Sequence, residues 1–293
     1  MKVIIAGAGI AGLASGLALV ARGIKATIVE QVAEPGEVGA GLQLGPNAVY
    51  ALKRLGVADG VGAHAVAPEA VVLSDGASGR ELGRVPLGRA AVERYGSPYW
   101  TVHRGDLHGV LLAAARRAPD VAIVTGRQVV GYEATERDVT VRFGNGDEMV
   151  ADALIGADGV WSRVRTQMYP DITPVPSGYV AYRAVLPLET AGRLGSRPEV
   201  GAWLTPEAHL IHYPVSAGAR INVVLIAKSA WSERSWSIAA ERDDVVRALR
   251  SFPQVPRGLA DAVPWLKWSL GAPVKLPALA RGRVALIGDA GHA

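Results

Sequence analysis

The sequence predicts an α/β fold in which a Rossmann-like dinucleotide-binding domain, with a mainly parallel sheet, is interleaved with a second domain built on an antiparallel sheet. Three observations predict it. The chain opens with a complete βαβ unit between Val3 and Glu30; two later apolar strands run into glycine–acid turns, at 156–159 and 288–291; and residues 178 to 228 read as strands joined by turns.

The opening unit comes first. Val3 to Ala6 is a short apolar strand, Gly7-Ala8-Gly9-Ile10-Ala11-Gly12 is a turn, a small-residue helix runs to Arg22, Gly23 breaks it, and Lys25 to Glu30 returns as a strand. Gly7 permits a tight exit from the strand, Gly9 lets a pyrophosphate approach the backbone, and Gly12 lets the helix pack close to the sheet. The helix start presents free N–H groups and a favourable dipole to phosphate. Glu30 ends the second strand, where a carboxylate can take the ribose hydroxyls of an adenine nucleotide. Residues 3 to 21 carry no charge and follow Met1-Lys2, which resembles a secretory leader, but glycines at 7, 9, 12 and 16 make a poor apolar helix and the pattern runs on into a strand.

The composition narrows the function classes. A chain of 293 residues with 49% hydrophobic content can bury one large core or two ordinary ones. No later apolar run is long enough to cross a bilayer, and with no targeting segment a cytoplasmic location is expected. Zero cysteines exclude disulfides, a thiol nucleophile and a cysteinyl-linked cofactor. The six histidines show no metal-binding spacing. A net charge of +4 from scattered arginines mildly favours anionic ligands without indicating a nucleic-acid surface.

Further along, Gln31 to Leu44 is a glycine-rich loop, read either as a ligand-approach segment or as a plain connector. Gly45-Pro46-Asn47 starts a helix that Gly56 ends. Residues 70 to 85 read as a hairpin, and Tyr99 to His103 as a strand. Asp106 opens an amphipathic helix bearing Leu107, Val110, Leu111 and Ala114; it reads as a cap or as a functional residue, and Arg104 is the better functional candidate. Strands are predicted at 121–125, 128–134, 138–143 and 147–151, then at Ala153 to Asp158, followed by a short helix from Val160 to Met168 carrying Arg163 and Arg165. Three prolines between Tyr169 and Ser177 mark a boundary. Beyond it come strands near 178–187, 198–204, 207–214 and 220–228, forming an antiparallel sheet. A helix is predicted from Ile238 to Arg250 with Ile238, Val245, Val246 and Leu249 on one face. Trp231, Trp236, Trp265 and Trp268 are read as core or sheet-covering residues. The last strand leads into Gly288-Asp289.

Three of these segments stand together: GAGIAGL with Glu30, GADGVWSRVR at 156–165, and RVALIGDAGH at 283–292. They resemble the flavoprotein aromatic hydroxylases of the p-hydroxybenzoate hydroxylase and salicylate hydroxylase type. GAGLQLGPNA at 39–48 and VHRGDLH at 102–108 look most like the branch acting on small hydroxylated aromatic acids.

The resemblance implies non-covalent FAD held by Gly7, Gly9, Ile10, Ala11 and Gly12, with Glu30 on its ribose and Gln31 beside it. Gln43 and Arg104 are implied as further cofactor contacts, Arg104 at the pyrophosphate. Asp158, Gly159 and Arg163 belong to the motif serving both FAD and NAD(P)H, and Gly288 and Asp289 would meet the ribityl chain. It also implies an FAD-binding domain of residues 1–69, 100–175 and 274–293 and a substrate domain of 70–99 and 176–273.

The implied chemistry is reduction of FAD by NADH or NADPH, reaction with O2 to a flavin C(4a)-hydroperoxide, and oxygen transfer to a phenolic ring. A free phenol has a pKa of about 10 and imidazole about 6.5, so a placed histidine can take the phenolic proton. His212 in the strand end His212-Tyr213-Pro214 is the candidate base, with a hydrogen-bonded structural histidine as the other reading. His209 points to the opposite face, and Tyr213, a second candidate, faces away from His212 unless the strand bends. A small aromatic substrate, NAD(P)H and O2 are the implied partners, with no metal, nucleic acid or membrane span, and a monomer or homodimer.

The family pattern usually reads G-D-A-A-H-P and continues through a loop and a long helix beside the flavin; here Gly291 replaces an alanine and the sequence stops at Ala293. A chain without that helix is expected to hold FAD loosely and to waste reducing equivalents. A non-catalytic FAD-binding relative, or another flavoenzyme such as a halogenase or alkene reductase, shares the front motif; no W-x-W-x-I-P element supports the halogenase.

Overall fold

The computed structural model describes residues 1–36, 40–229, 231, 238–252, 259–262, 264–272 and 274–292. The chain forms two compact units, Met1–Glu37 with His108–Val175 and Gly271–Ala293, and Val38–Leu107 with Pro176–Leu270.

In the first unit a six-stranded sheet has the order Ala280–Arg281, Val284–Leu286, Ala153–Gly156, Lys2–Ala6, Lys25–Val29, Val121–Val124. All neighbours are parallel except the first pair. The opening strand is therefore central, which is why four of its five residues are buried. Helix Ile10–Val20 packs back onto it with Gly12, Leu13 and Gly16 buried. A three-stranded antiparallel sheet of Val129–Ala134, Val139–Phe143 and Glu148–Ala151 follows, its second turn made at Gly146 with φ +87°. Val139, Val141, Phe143, Leu154, Val164 and Leu286 are among the residues of this unit's core.

The second unit is an eight-stranded sheet in the order Ile238–Ala239, Leu266–Gly271, Pro176–Pro187, Arg220–Lys228, Ala208–Val215, Val200–Leu204, Ala70–Asp75, Glu81–Pro86. The pairing is not wholly antiparallel as the turns suggested, because Val200–Leu204 runs parallel to Ala70–Asp75. That pair brings the 70–86 hairpin into the main sheet. The segments 41–44 and 100–103, grouped above with the dinucleotide half, pair with each other in this unit. Two side-chain bonds hold them there: Asn222 Oδ1 accepts from the Gly41 N–H at 2.7 Å, and Thr101 Oγ1 donates to the Pro214 carbonyl at 2.5 Å.

Strand alternation divides this sheet into two faces. Val180, Tyr182, Ala184, Leu186, Leu210 and Val223 point into a core closed by Val245, Leu249 and Phe252. Val185, Ile211, Tyr213 and Val215 point the other way, packing with Val71, Tyr99 and Val200.

Two element predictions are corrected. The helix expected from Ile238 runs only over Arg242–Leu249; Ile238–Ala239 instead pairs with Lys267 and Leu266, and Val246 is exposed while Val245 and Leu249 are buried. Asp243 and Asp244 in the first turn are the charges a helix start favours, so the true start carried its own signal. The helix expected from Asp106 starts at Arg104, so Asp106 is no cap; its carboxylate accepts from the Ser216 hydroxyl at 3.3 Å. Of the tryptophans, 265 and 268 are buried, Trp231 packs against the core, and Trp236 lies outside the described residues.

Candidate functional site

In the first unit, the turn from Gly7 to Gly12 is shaped by contacts that leave no room for side chains. Gly7 has φ +105°, and a Cβ there would stand 2.4 Å from the Ala157 carbonyl oxygen. A Cβ on Gly12 would stand 1.9 Å from the Gly7 carbonyl oxygen. Gly9 differs: its Cβ would meet nothing within 4 Å, so the space beside it is open. Gly9 also precedes helix Ile10–Val20 without any side-chain cap, and no acidic residue stands in the first turn. The helix's N-terminal amides, beginning at Ile10 and Ala11, are thus available to an anion in that space.

Between these glycines, Ala8 is held at both ends. Its N–H donates to Glu30 Oε2 at 2.8 Å, and its carbonyl is bonded by His108 Nε2 at 2.8 Å. The second Glu30 oxygen accepts from the Val32 N–H at 3.0 Å. Gln31 is exposed, and its Oε1 accepts from Gln128 Nε2 at 3.3 Å. His108, buried at 4% exposure, was missed by the sequence reading; its only signal was a histidine on the buried side of an otherwise aliphatic helix.

The second and third motifs close on the first. Ala157 N–H donates to the Ala6 carbonyl at 2.8 Å, and Ile287 N–H to the Gly156 carbonyl at 3.0 Å. Gly288 has φ +55°, and a Cβ there would lie 2.8 Å from Ala11 Cβ. Asp158 caps helix Arg163–Met168: one oxygen accepts from Ser162 Oγ, the other from the N–H groups of Arg163 and Val164 at 2.8 and 3.2 Å. Its carboxylate therefore shapes the turn around Gly159, while Arg163 and Asp289 remain exposed.

Arg165, only 1% exposed, was named in the sequence without a role. Its guanidinium donates to the carbonyls of Asp289 and Ala290, each at 3.2 Å, and to that of Val160. It ties the second motif to the third. Burial lowers its pKa, opposed by the charge of Asp158.

These residues fit a dinucleotide, since the open volume beside Gly9, the uncapped helix start and Glu30 supply what a pyrophosphate and ribose require.

The second unit holds the remaining candidates. Arg104 begins its helix with its N–H on the Ala40 carbonyl at 2.7 Å. Gln43 is exposed, and Tyr99 donates its hydroxyl to Gln43 Oε1 at 2.6 Å; the Gln43 side chain lies close enough to Tyr213 to lower its pKa slightly against burial. Burial pushes Tyr213 up to about 12, so it stays neutral. Its ring also sets the neighbouring backbone, because a Cβ on Gly41 would lie 2.5 Å from it.

His212 belongs to the opposite, core-facing side. Its ring lies over Gly201, where a Cβ would be 2.1 Å from Nε2, and Nε2 accepts from the Trp203 indole N–H at 3.1 Å. That bond places the imidazole proton on Nδ1. Burial pushes His212 down to about 4. A base for a phenol needs an open nitrogen and a pKa near neutrality, and His212 has neither. His209 and Tyr213, two and four residues along the alternation from Ile211 and His209 respectively, share the other face, and His209 is exposed.

The His212 shift has a measurable consequence. Its folded value lies below the ordinary imidazole value, so the associated stability is complete above about pH 6.5 and is lost as pH falls toward 4, when the unfolded chain takes a proton that the folded chain refuses. Up to about 3 kcal/mol is at stake. Urea midpoints at pH 7 and pH 5 should diverge for the parent and converge for His212→Leu; an equal acid sensitivity in both would place the effect elsewhere.

Among the described residues no group of histidine and carboxylate side chains could hold a metal, and no helix is long and apolar enough to cross a membrane.

Comparison with known proteins agrees with this geometry. Residues 1–293 match the family described as FAD binding domain. The chain is 35% identical to 3-hydroxybenzoate 6-hydroxylase 1 of Aquipseudomonas alcaligenes, over 99% of this chain and 74% of that protein. It is 31% identical to 6-hydroxynicotinate 3-monooxygenase of Pseudomonas fluorescens, over 99% of this chain and 76% of the relative. Among solved structures, Klebsiella pneumoniae HpxO complexed with FAD and uric acid superposes with a TM-score of 0.86 at 27% identity, covering 100% of this chain and 74% of its own. By motif, fold and kinship the chain belongs to the FAD-dependent aromatic hydroxylases, a family of flavoprotein monooxygenases.

Proposed function

We propose that this chain hydroxylates a small phenolic aromatic acid, with NADH or NADPH as reductant and O2 as oxidant. The observation that carries the reading is the sheet face bearing His209 and Tyr213, with Gln43 and Tyr99 tied to it, in a chain of this family. FAD supplies the redox chemistry, passing electrons from the nicotinamide to O2 and one oxygen atom to the ring.

The protein's own part begins with binding. Gly7, Gly9, Gly12, Ile10 and Ala11 form the phosphate turn, Glu30 takes the ribose, and Arg165 holds the Gly288-Asp289 segment in register with that turn. In the second unit, Tyr213 is neutral and donates a hydrogen bond to the substrate phenol as its charge develops. His209, exposed on the same face, takes the phenolic proton and passes it to water, the role that the sequence reading gave to His212. The reductant is one that the cytoplasm maintains, and the protein acts as a monomer or homodimer.

Purified protein should carry or take up a yellow chromophore, and NAD(P)H oxidation should be stimulated by members of a panel of salicylate, hydroxybenzoates and hydroxynicotinates, with hydroxylated product formed. FAD binding without stimulation or product by any phenolic acid would leave a flavin-binding protein of another activity.

A further inference from the structure

The strand Pro176–Pro187 buries its even-numbered residues Val180, Tyr182, Ala184 and Leu186 in the core. Arg183 therefore stands on the other face, with Val185 and the face of Tyr213. Its guanidinium carbon lies over the Trp268 ring, 3.7 Å from the centroid. Its Nε is buried with no hydrogen-bond partner, and none of the ion pairs among the described residues includes it. Burial pulls Arg183 down to about 10; the Tyr213 phenol opposes that fall and Arg104, a second cation, adds to it. Tyr213 is itself neutral, so it brings no counter-charge.

A largely desolvated arginine beside a second arginine, with no carboxylate paired to it among the described residues, is an arrangement that folding alone disfavours. The cost is offset when an anion arrives from outside the chain. A planar guanidinium fixed on an indole is preorganised for a planar carboxylate, and it stands on the face that carries the phenol-binding tyrosine. A benzoate-like or pyridinecarboxylate ring with a hydroxyl would thus find a cation for one substituent and Tyr213 for the other.

We propose that Arg183 is the specificity-determining receptor for the carboxylate of the substrate, with Trp268 as the surface that holds its guanidinium in place. This rests on the reading of the site as one for a phenolic acid. It makes the carboxylate, and not the ring, the main source of discrimination among phenols.

The test uses the FAD-loaded protein and pairs of ligands that differ only in charge: salicylate, 3-hydroxybenzoate, 4-hydroxybenzoate and 6-hydroxynicotinate, each against its primary amide, with dissociation constants from calorimetry. In the parent, the best acid should bind roughly 10- to 100-fold more tightly than its amide. In Arg183→Met the acid should lose that margin while the amide is unchanged, and Arg183→Lys should recover part of it; FAD affinity should hold in both. A parent that binds no acid, or binds acid and amide alike, overturns the proposal without recourse to any variant, as does an Arg183→Met protein that keeps the parent ratio. Hydroxylation with an unchanged ratio in Arg183→Met would sink Arg183 and leave the hydroxylase reading intact. Arg183-dependent acid binding without hydroxylation would do the reverse.

Discussion

Gly9→Val should fold like the parent and lose FAD affinity by roughly 100-fold or more, while Gly12→Val should fail to fold its first unit. The two glycines are three residues apart in one turn, yet their surroundings are opposite. A Cβ at 12 would stand 1.9 Å from the Gly7 carbonyl oxygen, and that carbonyl cannot swing away because it belongs to the backbone turn between the central strand Lys2–Ala6 and the helix. A Cβ at 9 meets nothing within 4 Å beyond its chain neighbours, and the backbone there, with φ −72°, accepts any L residue. The space it enters is the space a bound phosphate would take. Thermal unfolding of the FAD-free proteins, paired with FAD titration by flavin fluorescence, separates the two effects. Parent-like FAD affinity in Gly9→Val would remove the phosphate from this turn.

His209→Gln should lower kcat by about 100- to 1,000-fold and Tyr213→Phe by a comparable amount, whereas His212→Gln should stay close to the parent rate. The expectation follows from which face each side chain joins. His209 and Tyr213 share the face of Tyr99 and Gln43, while His212 is sealed between Gly201 and Trp203. Rates of product formation, with the fraction of NAD(P)H diverted to peroxide measured alongside, decide the matter. The opposite ranking, with His212→Gln the inactive variant, would restore His212 as the base.

The contrast between those histidines shows where the sequence was legible. The period-two alternation of Ala208 to Val215 is readable, and so is the conclusion that His209 and His212 oppose one another. Which face meets the core is not, because both carry apolar residues, Leu210 on one and Ile211 on the other. The answer depends on Val245, Leu249 and Phe252 covering one side, a fact of tertiary packing. The phosphate turn was legible for the converse reason: a strand, a glycine turn and a helix are local, and their spacing alone dictates the geometry. Arg165 and Arg183 escaped the reading because an arginine in a sequence looks like surface until burial is known. Ile238 misled through its helical spacing to Val245 and Leu249, when the edge of a sheet was the stronger partner.

The wiring of the parallel sheet also governs when the molecule can fold. Lys2–Ala6 has Lys25–Val29 on one side, but its other neighbour is Ala153–Gly156, which in turn waits for Val284–Leu286. On the ribosome, the first βαβ unit emerges with one apolar edge unpaired until about 125 further residues, through Ala153–Gly156, have been made. The same holds for Ala70–Asp75, whose parallel partner Val200–Leu204 arrives late. Contacts of such high sequence separation slow folding and expose unpaired strand edges while the chain is being made, so the fold's vulnerable period is the interval before these late strands arrive.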